Sequence, residues 1–492
     1  MALFPFDNSY ARLPERFFAR VNPTPVASPR LVHLNTALAA ELGVDARALA
    51  GEEGARIFAG NQVPEGAEPI ATAYAGHQFG GFVPQLGDGR AILLGEVIDR
   101  GGTRRDVQLK GAGRTPFSRG GDGRAAVGPV LREYLVSEAM AALGIPTTRA
   151  LAAATTGDWV RRETMLPGAV LTRVASSHIR VGTFEFFASR GDVEGVRLLA
   201  GHVIARHYPA AAEAENPYRA LLDAVIRAQA ELIPRWLLVG FVHGVMNTDN
   251  TSVAGETIDY GPCAFIDAYD PGAVFSSIDT QRRYAYGRQP EIALWNLTRL
   301  AESLLPLLSD DADAAAEQAY ASLDAFAPAF NRAYETGLRR KLGLTTEQGD
   351  DLVLAQALLG VMAEGRADFT LTFRRLCDAA AAEEADAEVR SLFADPAAYD
   401  AWAARWRERL GAEPVPPAER RAAMRAANPA YIPRNHRVEA VISAAIDHDD
   451  FAPFEELLTV LAHPYDDQDP ALAHYAAPPP ESDRVYRTFC GT

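Results

Sequence analysis

The stretch HGVMNTDNTSVAGETIDYGP, residues 243–262, decides how the rest of the chain is read. Within eleven residues it sets Asp249, Asn250 and Asp259 between apolar segments. Carboxylate and amide oxygens suit Mg²⁺, which keeps several waters and takes few protein ligands. Asn250 and Asp259 are therefore candidate metal ligands, and Asp249 is a candidate base. A single Asp in a loop more often caps a helix or makes a turn. Three such groups at this spacing favour a functional loop. His243 is expected to brace that loop through hydrogen bonds rather than perform acid–base chemistry.

The spacing is close to that of the catalytic loop of protein kinases, with one part moved. In a kinase a His is followed two residues later by the catalytic Asp and seven residues later by a metal-binding Asn, and a second metal-binding Asp follows in an Asp-Phe-Gly turn. Here His243 and Asn250 keep the longer offset, and Asp259-Tyr260-Gly261 stands in for Asp-Phe-Gly. The base position holds Val245, which accepts no proton, and an Asp stands instead at position 249. Metal and nucleotide parts are kept while the group that meets the acceptor hydroxyl has moved. That points to nucleotide chemistry other than ordinary γ-phosphoryl transfer.

Upstream, residues 71–124 are crowded with glycine. Two apolar runs there, AILLGEVI and DVQLK, flank a Gly-Gly turn and read as an antiparallel hairpin. Gly87, Gly89 and Arg90 lie in QLGDGRA just before it, where a glycine turn lets backbone N–H groups approach phosphates or simply closes a hairpin. Lys110 ends the second run. A lysine at that strand position contacts nucleotide phosphates in kinases and is held by a Glu on the next helix. Glu133 and Glu138 lie on the expected helix VLREYLVSEAMAALG. Asp122, Gly123 and Arg124 form a second glycine-rich loop ahead of that helix, whose N-terminus favours anions. Arg173 and Arg180, in LTRVASSHIRVGTFEF, sit in an alternating apolar setting that turns them toward a cleft.

Composition bounds the rest. The chain has 492 residues, 48% hydrophobic, enough for a large core and long for one compact domain. A formal charge of -16 disfavours non-specific binding to nucleic acid or acidic membranes. Three scattered cysteines (Cys263, Cys377, Cys490) give neither a disulfide framework nor a zinc site. The N-terminus lacks the features of a signal peptide, and no apolar run is long enough to cross a bilayer, so a cytoplasmic setting is expected. Beyond about residue 155 the sequence reads as mostly helical, with patterns over 191–207, 215–239, 290–307, 312–340 and 350–378. TSVAG and ETIDYG read as short strand-like pieces in the loop. The expected class is α+β: a two-lobed, protein-kinase-like fold with an N-terminal extension (1–70), a nucleotide-binding lobe of strands plus one helix (71–155), a mainly helical lobe carrying the loop 243–262 (156–410), and a C-terminal extension with helical additions and a cysteine-containing tail (411–492).

With these residues in hand, the chain resembles the selenoprotein O family. The matching blocks are ATAYAGHQFGGFVPQLGDGRA, DVQLKGAGRTPFSRGGDGRA, TRVASSHIRVGTFEF, HGVMNTDNTSV, TIDYGP and NPAYIPRNHRVE, with FCGT at the end. The resemblance implies ATP bound flipped relative to kinases, so that its α-phosphate faces the acceptor and AMP passes to Ser, Thr or Tyr hydroxyls of proteins. It further implies that Lys110 and Glu133 form an ion pair, and that Gly87, Gly89, Arg90, Asp122, Gly123, Arg173 and Arg180 line the nucleotide. Asn250 and Asp259 would hold Mg²⁺ or Mn²⁺, and Asp249 would be the base. Transfer of another nucleotide such as UMP, ordinary kinase activity and a silent nucleotide-binding scaffold are the alternatives. Some members carry selenocysteine near the C-terminus, where this chain has Cys490. It is a candidate for a redox tether to Cys263 or to another protein, or an inert tail residue.

Overall fold

Sheet order explains how the loop residues meet. The computed structural model describes residues 3–489, so Cys490 lies outside the described residues. The strands run β1 (Phe18–Arg20), β2 (Arg30–Leu34), β3 (Ile70–Thr72), β4 (Gly76–Gln78), β5 (Gly81–Val83), β6 (Ala91–Ile98), β7 (Arg104–Lys110), β8 (Ala125–Ala126), β9 (Arg149–Arg161) and β10 (Met165–Ala175). The main sheet has the order β1-β3-β6-β7-β10-β9-β2, with β8 paired to β10, and every pairing is antiparallel. The expected hairpin of β6 and β7 is present, and β4–β5 is a separate small hairpin. Strands and many helices together make a mixed α+β protein.

Register places the chemistry. Lys110 pairs with Ala91 on one side and Leu171 on the other, and Gln108 pairs with Arg173. Side chains alternate along a strand, so Gln108, Lys110 and Arg173 share one face. The helix Val127–Ala142 lies on that face. Its Val130, Leu131 and Leu135 pack with Ala153 and Leu171 of the sheet, and with Val438 and Ile442 of the C-terminal helix Asn435–His448. The helix Thr36–Glu41 and the helix Glu52–Phe58 cover the opposite face, through Leu38, Ile57 and Phe58 against Leu151, Ala154 and Val174. Residues of the N-terminal stretch thus supply strands at both sheet edges.

The strands extend further than the sequence reading had them. β9 and β10 carry the sheet to Ala175, and continuous helical structure starts only at Val181. Ala150–Ala154 has a strong helical propensity, but it is buried on both faces as a strand, and tertiary burial overrides local preference. Downstream, the helices Val193–His207, Pro217–Val239 and Gln289–Leu308 lie close to the expected spans. Two expected helices are each divided. Ala312–Leu323 and Phe326–Lys341 replace 312–340. Asp351–Gly365 and Phe369–Ala379 replace 350–378, because Arg366 turns left-handed (φ 51°) and Asp368 caps the new start by accepting from Leu371 N. Among the described residues, no helix is long and apolar enough to cross a membrane.

The loop 243–262 is tied at its ends by β11 (Phe241–Val242) paired to β12 (Ala264–Phe265). The pieces expected as strands within it make only single bridges, Ser252 to Arg180 and Thr257 to Thr147. A short 3-10 turn over Thr248–Asn250 presents the polar residues.

Candidate active site

An ionic knot closes the back of a cleft of about 660 Å³ between the sheet and the loop. Lys110 Nζ donates to Glu133 Oε2 (2.6 Å) and to Asp259 Oδ1 (2.8 Å). Arg173 donates to the same Asp259 oxygen (2.5 Å), to Glu133 Oε1 (3.2 Å) and to Gln108 Oε1 (2.7 Å). Arg180 donates to Asp259 Oδ2 (2.6 Å) and to the Asp249 carbonyl (2.5 Å). Burial alone would raise the Asp259 carboxyl, but Arg173, Lys110 and Arg180 together hold it well below the usual carboxylate range. Its backbone is left-handed (φ 65°), a conformation Asp tolerates better than most residues. His243 braces this turn: its Nε2 lies 2.9 Å from the Ile258 carbonyl, and burial lowers its pKa, which favours the neutral ring.

Asp249 sits in a different environment. It is 7% exposed, Gln78 Nε2 donates to its Oδ2 (3.0 Å), and its Oδ1 is buried without a partner. Burial pushes its carboxyl up to about 6, against the opposing pull of the Gln78 hydrogen bond and Arg180. The β4–β5 hairpin approaches it closely because Gly76 has no side chain; a Cβ there would lie 2.7 Å from Asp249 Oδ1. Val245 also lines the cleft, and Asn250 donates from Nδ2 to the Val245 carbonyl (2.9 Å).

The two glycine loops form the remaining wall. Gly87 is left-handed (φ 70°), and a Cβ there would lie 2.3 Å from the Phe117 ring, so the first loop packs directly on the second. Gly89 lies against the Phe117 carbonyl, and Gly123 is left-handed against Gly113. Asp122 accepts from Arg162 Nη1 (2.8 Å) and from Arg124 N (2.9 Å). Arg124 donates to the Thr24 and Pro25 carbonyls, tying this loop to the N-terminal segment. Glu138 instead pairs with Arg149, away from the cleft.

Gly87, Gly89, Arg90, Lys110, Asp122, Gly123, Glu133, Arg173, Arg180, Asp249, Asn250 and Asp259 all line this one cleft. Its wall carries eight Arg or Lys residues against five Asp or Glu, on a chain whose net charge is -16. Such a local reversal suits a polyphosphate. The sequence reading missed several partners. The Tyr74 ring lies under the Arg180 guanidinium (4.7 Å), Gln108 links Arg173 to Asp88, and Gln78 and Arg162 hold the two loop carboxylates. Gln78 stands within the glycine-rich string that drew attention to its neighbours, and nothing in the spacing marks Arg162.

Among the described residues no group of three or more His, Cys, Asp or Glu is gathered as for a metal. The candidate ligands are Asp259 and the Asn250 amide, hard oxygens on the cleft wall beside Asp249, with both Asp259 oxygens accepting from Lys110, Arg173 and Arg180. That donor set fits a divalent cation such as Mg²⁺, which fills its remaining positions with water and phosphate.

The profile of a family described as protein adenylyltransferase SelO matches residues 2–462. The protein nucleotidyltransferase YdiU of Bradyrhizobium sp. (strain ORS 278) is 68% identical over 489 residues, covering 99% of each chain. The protein of the same name from Methylorubrum populi is 68% identical over 497 residues, covering 100% of each. With a profile matching nearly the whole chain and relatives this similar end to end, the chain belongs to the SelO family of protein adenylyltransferases and is a nucleotidyltransferase.

Proposed function

We propose that the protein transfers AMP from ATP to Ser, Thr or Tyr hydroxyls of proteins and releases pyrophosphate, on a two-lobed kinase-like fold whose lobe boundary, expected at 155/156, falls after Ala175, where the sheet ends. Residues 1–70, expected as an extension, complete the edges of that sheet, residues 411–492 are a C-terminal extension, and the setting is cytoplasmic. The observation that carries this reading is Asp249: a buried carboxylate with one free oxygen, in the loop where the kinase base position holds Val245.

In the step proposed, the acceptor hydroxyl oxygen attacks the α-phosphorus. Its proton passes to Asp249, the bond to the β-phosphate oxygen breaks, and pyrophosphate leaves with that electron pair. Asp249 needs to be ionised to accept the proton, and a pKa near 6 leaves it mostly ionised at neutral pH. Lys110, Arg173 and Arg180 supply fixed positive charge for the phosphates, held in place by Glu133 and Asp259. Arg90 and the two glycine loops, with Gly87, Gly89, Asp122 and Gly123, enclose the nucleotide and hold it with its α-phosphate toward the acceptor. Asn250 and Asp259 would hold Mg²⁺ or Mn²⁺, which when bound neutralises phosphate charge.

ATP labelled at either the α- or the γ-phosphate tests the proposal. Protein-bound α-label supports it. Protein-bound γ-label would make the protein an ordinary kinase, and no label at all a silent nucleotide-binding scaffold. The relatives' shared name leaves the nucleotide open. UTP labelled at the α-phosphate, run in parallel, decides between AMP and UMP.

A further inference from the structure

Beside Asp249, the rim of the cleft is built from the β4–β5 hairpin and the segment around Ile278, and its charge is unbalanced. Gln78, Phe79 and Ile278 line the cleft together with Asp249. Phe79 is held in a left-handed conformation (φ 51°), its N–H donating to Asn247 Oδ1 (3.1 Å) and to the Tyr284 hydroxyl (3.0 Å). A bulky residue in that region is strained, and such strain clusters where backbone shape serves binding. Phe82 and Ile278 are 41% and 60% exposed, which leaves apolar surface beside the opening.

Three arginines flank this edge. The Arg283 guanidinium lies 3.6 Å from where a Cβ on Gly80, at the hairpin tip, would stand, and it stacks over Trp295 (4.7 Å). Its Nε is buried without a partner. Arg190 grips the hairpin base, donating to the Pro84 carbonyl (2.9 Å), and covers Phe186 (3.6 Å). Arg282 is exposed and donates to the Gly272 carbonyl. Among the described residues none of the three has a carboxylate oxygen within ion-pair distance. On the neighbouring helix, by contrast, Arg288 pairs with Glu291 and Arg299 with Glu302. Arg283 and Arg190 thus both meet the small hairpin without an ion pair, on a chain in which acidic residues outnumber basic ones by 64 to 48, and Glu291 lies within electrostatic reach of Arg283.

We propose that this edge is the docking surface of the acceptor protein, and that it selects hydroxyls flanked by carboxylate side chains. The acceptor segment lies across the hairpin tip and the Ile278 segment with its hydroxyl toward Asp249. Its acidic residues meet Arg283, Arg190 and Arg282, and its apolar atoms cover Phe82 and Ile278. Guanidinium–carboxylate pairing supplies direction as well as attraction. The inference rests on the reading of Asp249 as the acceptor-side group.

The test uses the full-length protein and three fluorescein-labelled peptides that share one central Tyr. Their flanks are Asp/Glu, Gln/Asn or Lys. Fluorescence anisotropy should rank the acidic peptide tightest. Arg283→Glu combined with Arg190→Glu should weaken it by roughly tenfold or more, the equivalent of losing one charged pair, and should reverse the ranking toward the Lys peptide. If half-buried Arg283 does not accept the change, Arg190→Glu with Arg282→Glu, both at exposed positions, carries the same expectation. Equal affinity for the three peptides overturns the inference. So does an acidic preference that survives charge reversal, or a single-stranded oligonucleotide that binds this edge more tightly than the acidic peptide. Label transfer from α-labelled ATP is measured separately on an intact protein acceptor. Its failure would remove the AMP reading and leave the peptide ranking standing.

Discussion

Asp249 and Asp259 lie ten positions apart on one loop, both face the same cleft, and their surroundings treat them in opposite ways. Asp259 accepts from three cations and is held ionised far below the usual range. Asp249 has one donor from the small hairpin, an unpartnered oxygen and a carboxyl raised to about 6. Where two titratable groups are pushed apart like this, the environment has separated their work. Asp259 is fixed charge that holds Lys110, Arg173 and Arg180 in register. Asp249 is a carboxylate able to gain and lose a proton near neutral pH.

The largest effect expected is at Asp249. Asp249→Asn keeps the shape and removes the proposed base, so nucleotidyl transfer should fall by about 10²–10⁴ while nucleotide binding is retained. Transfer by the parent should rise with pH through about 6 and then level off. Stability gives an independent reading. The folded-state pKa is raised above the ordinary 3.8, so between 3.8 and about 6 the native protein binds more protons than the unfolded chain. Its stability therefore declines as pH rises across that window. Denaturant titrations should show Asp249→Asn lacking this decline and exceeding the parent by on the order of 3 kcal/mol above pH 6. Equal pH dependence in the two proteins would falsify the raised pKa.

Asp259→Ala should act the other way on stability. It leaves three buried cations facing one another, and breaking a buried ion pair typically costs about 3–5 kcal/mol. Transfer should fall by about 10²–10³ as the phosphate-binding charges lose their anchor. A variant that melts like the parent and still transfers label would mean that the knot is dispensable. Lys110→Ala should be milder, because Glu133 and Asp259 both keep Arg173. Loss of its charged contact to the nucleotide, about 1.5–3 kcal/mol, predicts roughly a 10- to 100-fold fall in kcat/KM for ATP, and loss of its bonds to Glu133 and Asp259 a lower melting temperature than the parent's. An unchanged kcat/KM would return Lys110 to the status of a strand-end lysine with no part in catalysis.

The same contrast shows what the sequence displays and what it hides. Lys110, Glu133, Asp249, Asn250 and Asp259 were legible because they stand at fixed offsets in glycine-punctuated or loop segments, and short-range spacing survives into the structure. The α+β class followed from strand-like runs preceding helical ones. The 149–175 hairpin runs past residue 155, where the sequence reads as mostly helical, because its strands pair with β2 and β7 across long stretches of chain. Tyr74, Gln78, Gln108 and Arg162 were hidden for the same reason. Each meets its partner across a long stretch of chain, as Gln78 does with Asp249, 171 residues apart. No local pattern records a contact of that length.

The smallest effect expected sharpens the contrast most finely. Gln78 is the donor that keeps Asp249 from rising further, and it reaches Asp249 from a hairpin anchored independently of it. The β4–β5 ladder pairs Gly76 with Val83 and Gln78 with Gly81 through the backbone, and Phe79 N holds Asn247. Gln78→Leu should therefore leave the hairpin and the fold in place while removing a hydrogen bond that favours the ionised carboxyl. The Asp249 pKa then moves above about 6, and the rise of transfer with pH shifts the same way. At pH 7 the loss should be a few-fold, the size set by about one pKa unit, and raising the pH should recover most of it. Gln78→Glu places a second negative charge beside Asp249 and should shift the profile further in the same direction. A merely structural Gln78 would lower the rate equally at every pH. A pH–rate profile that drops without moving its midpoint would therefore detach Gln78 from the titration of Asp249.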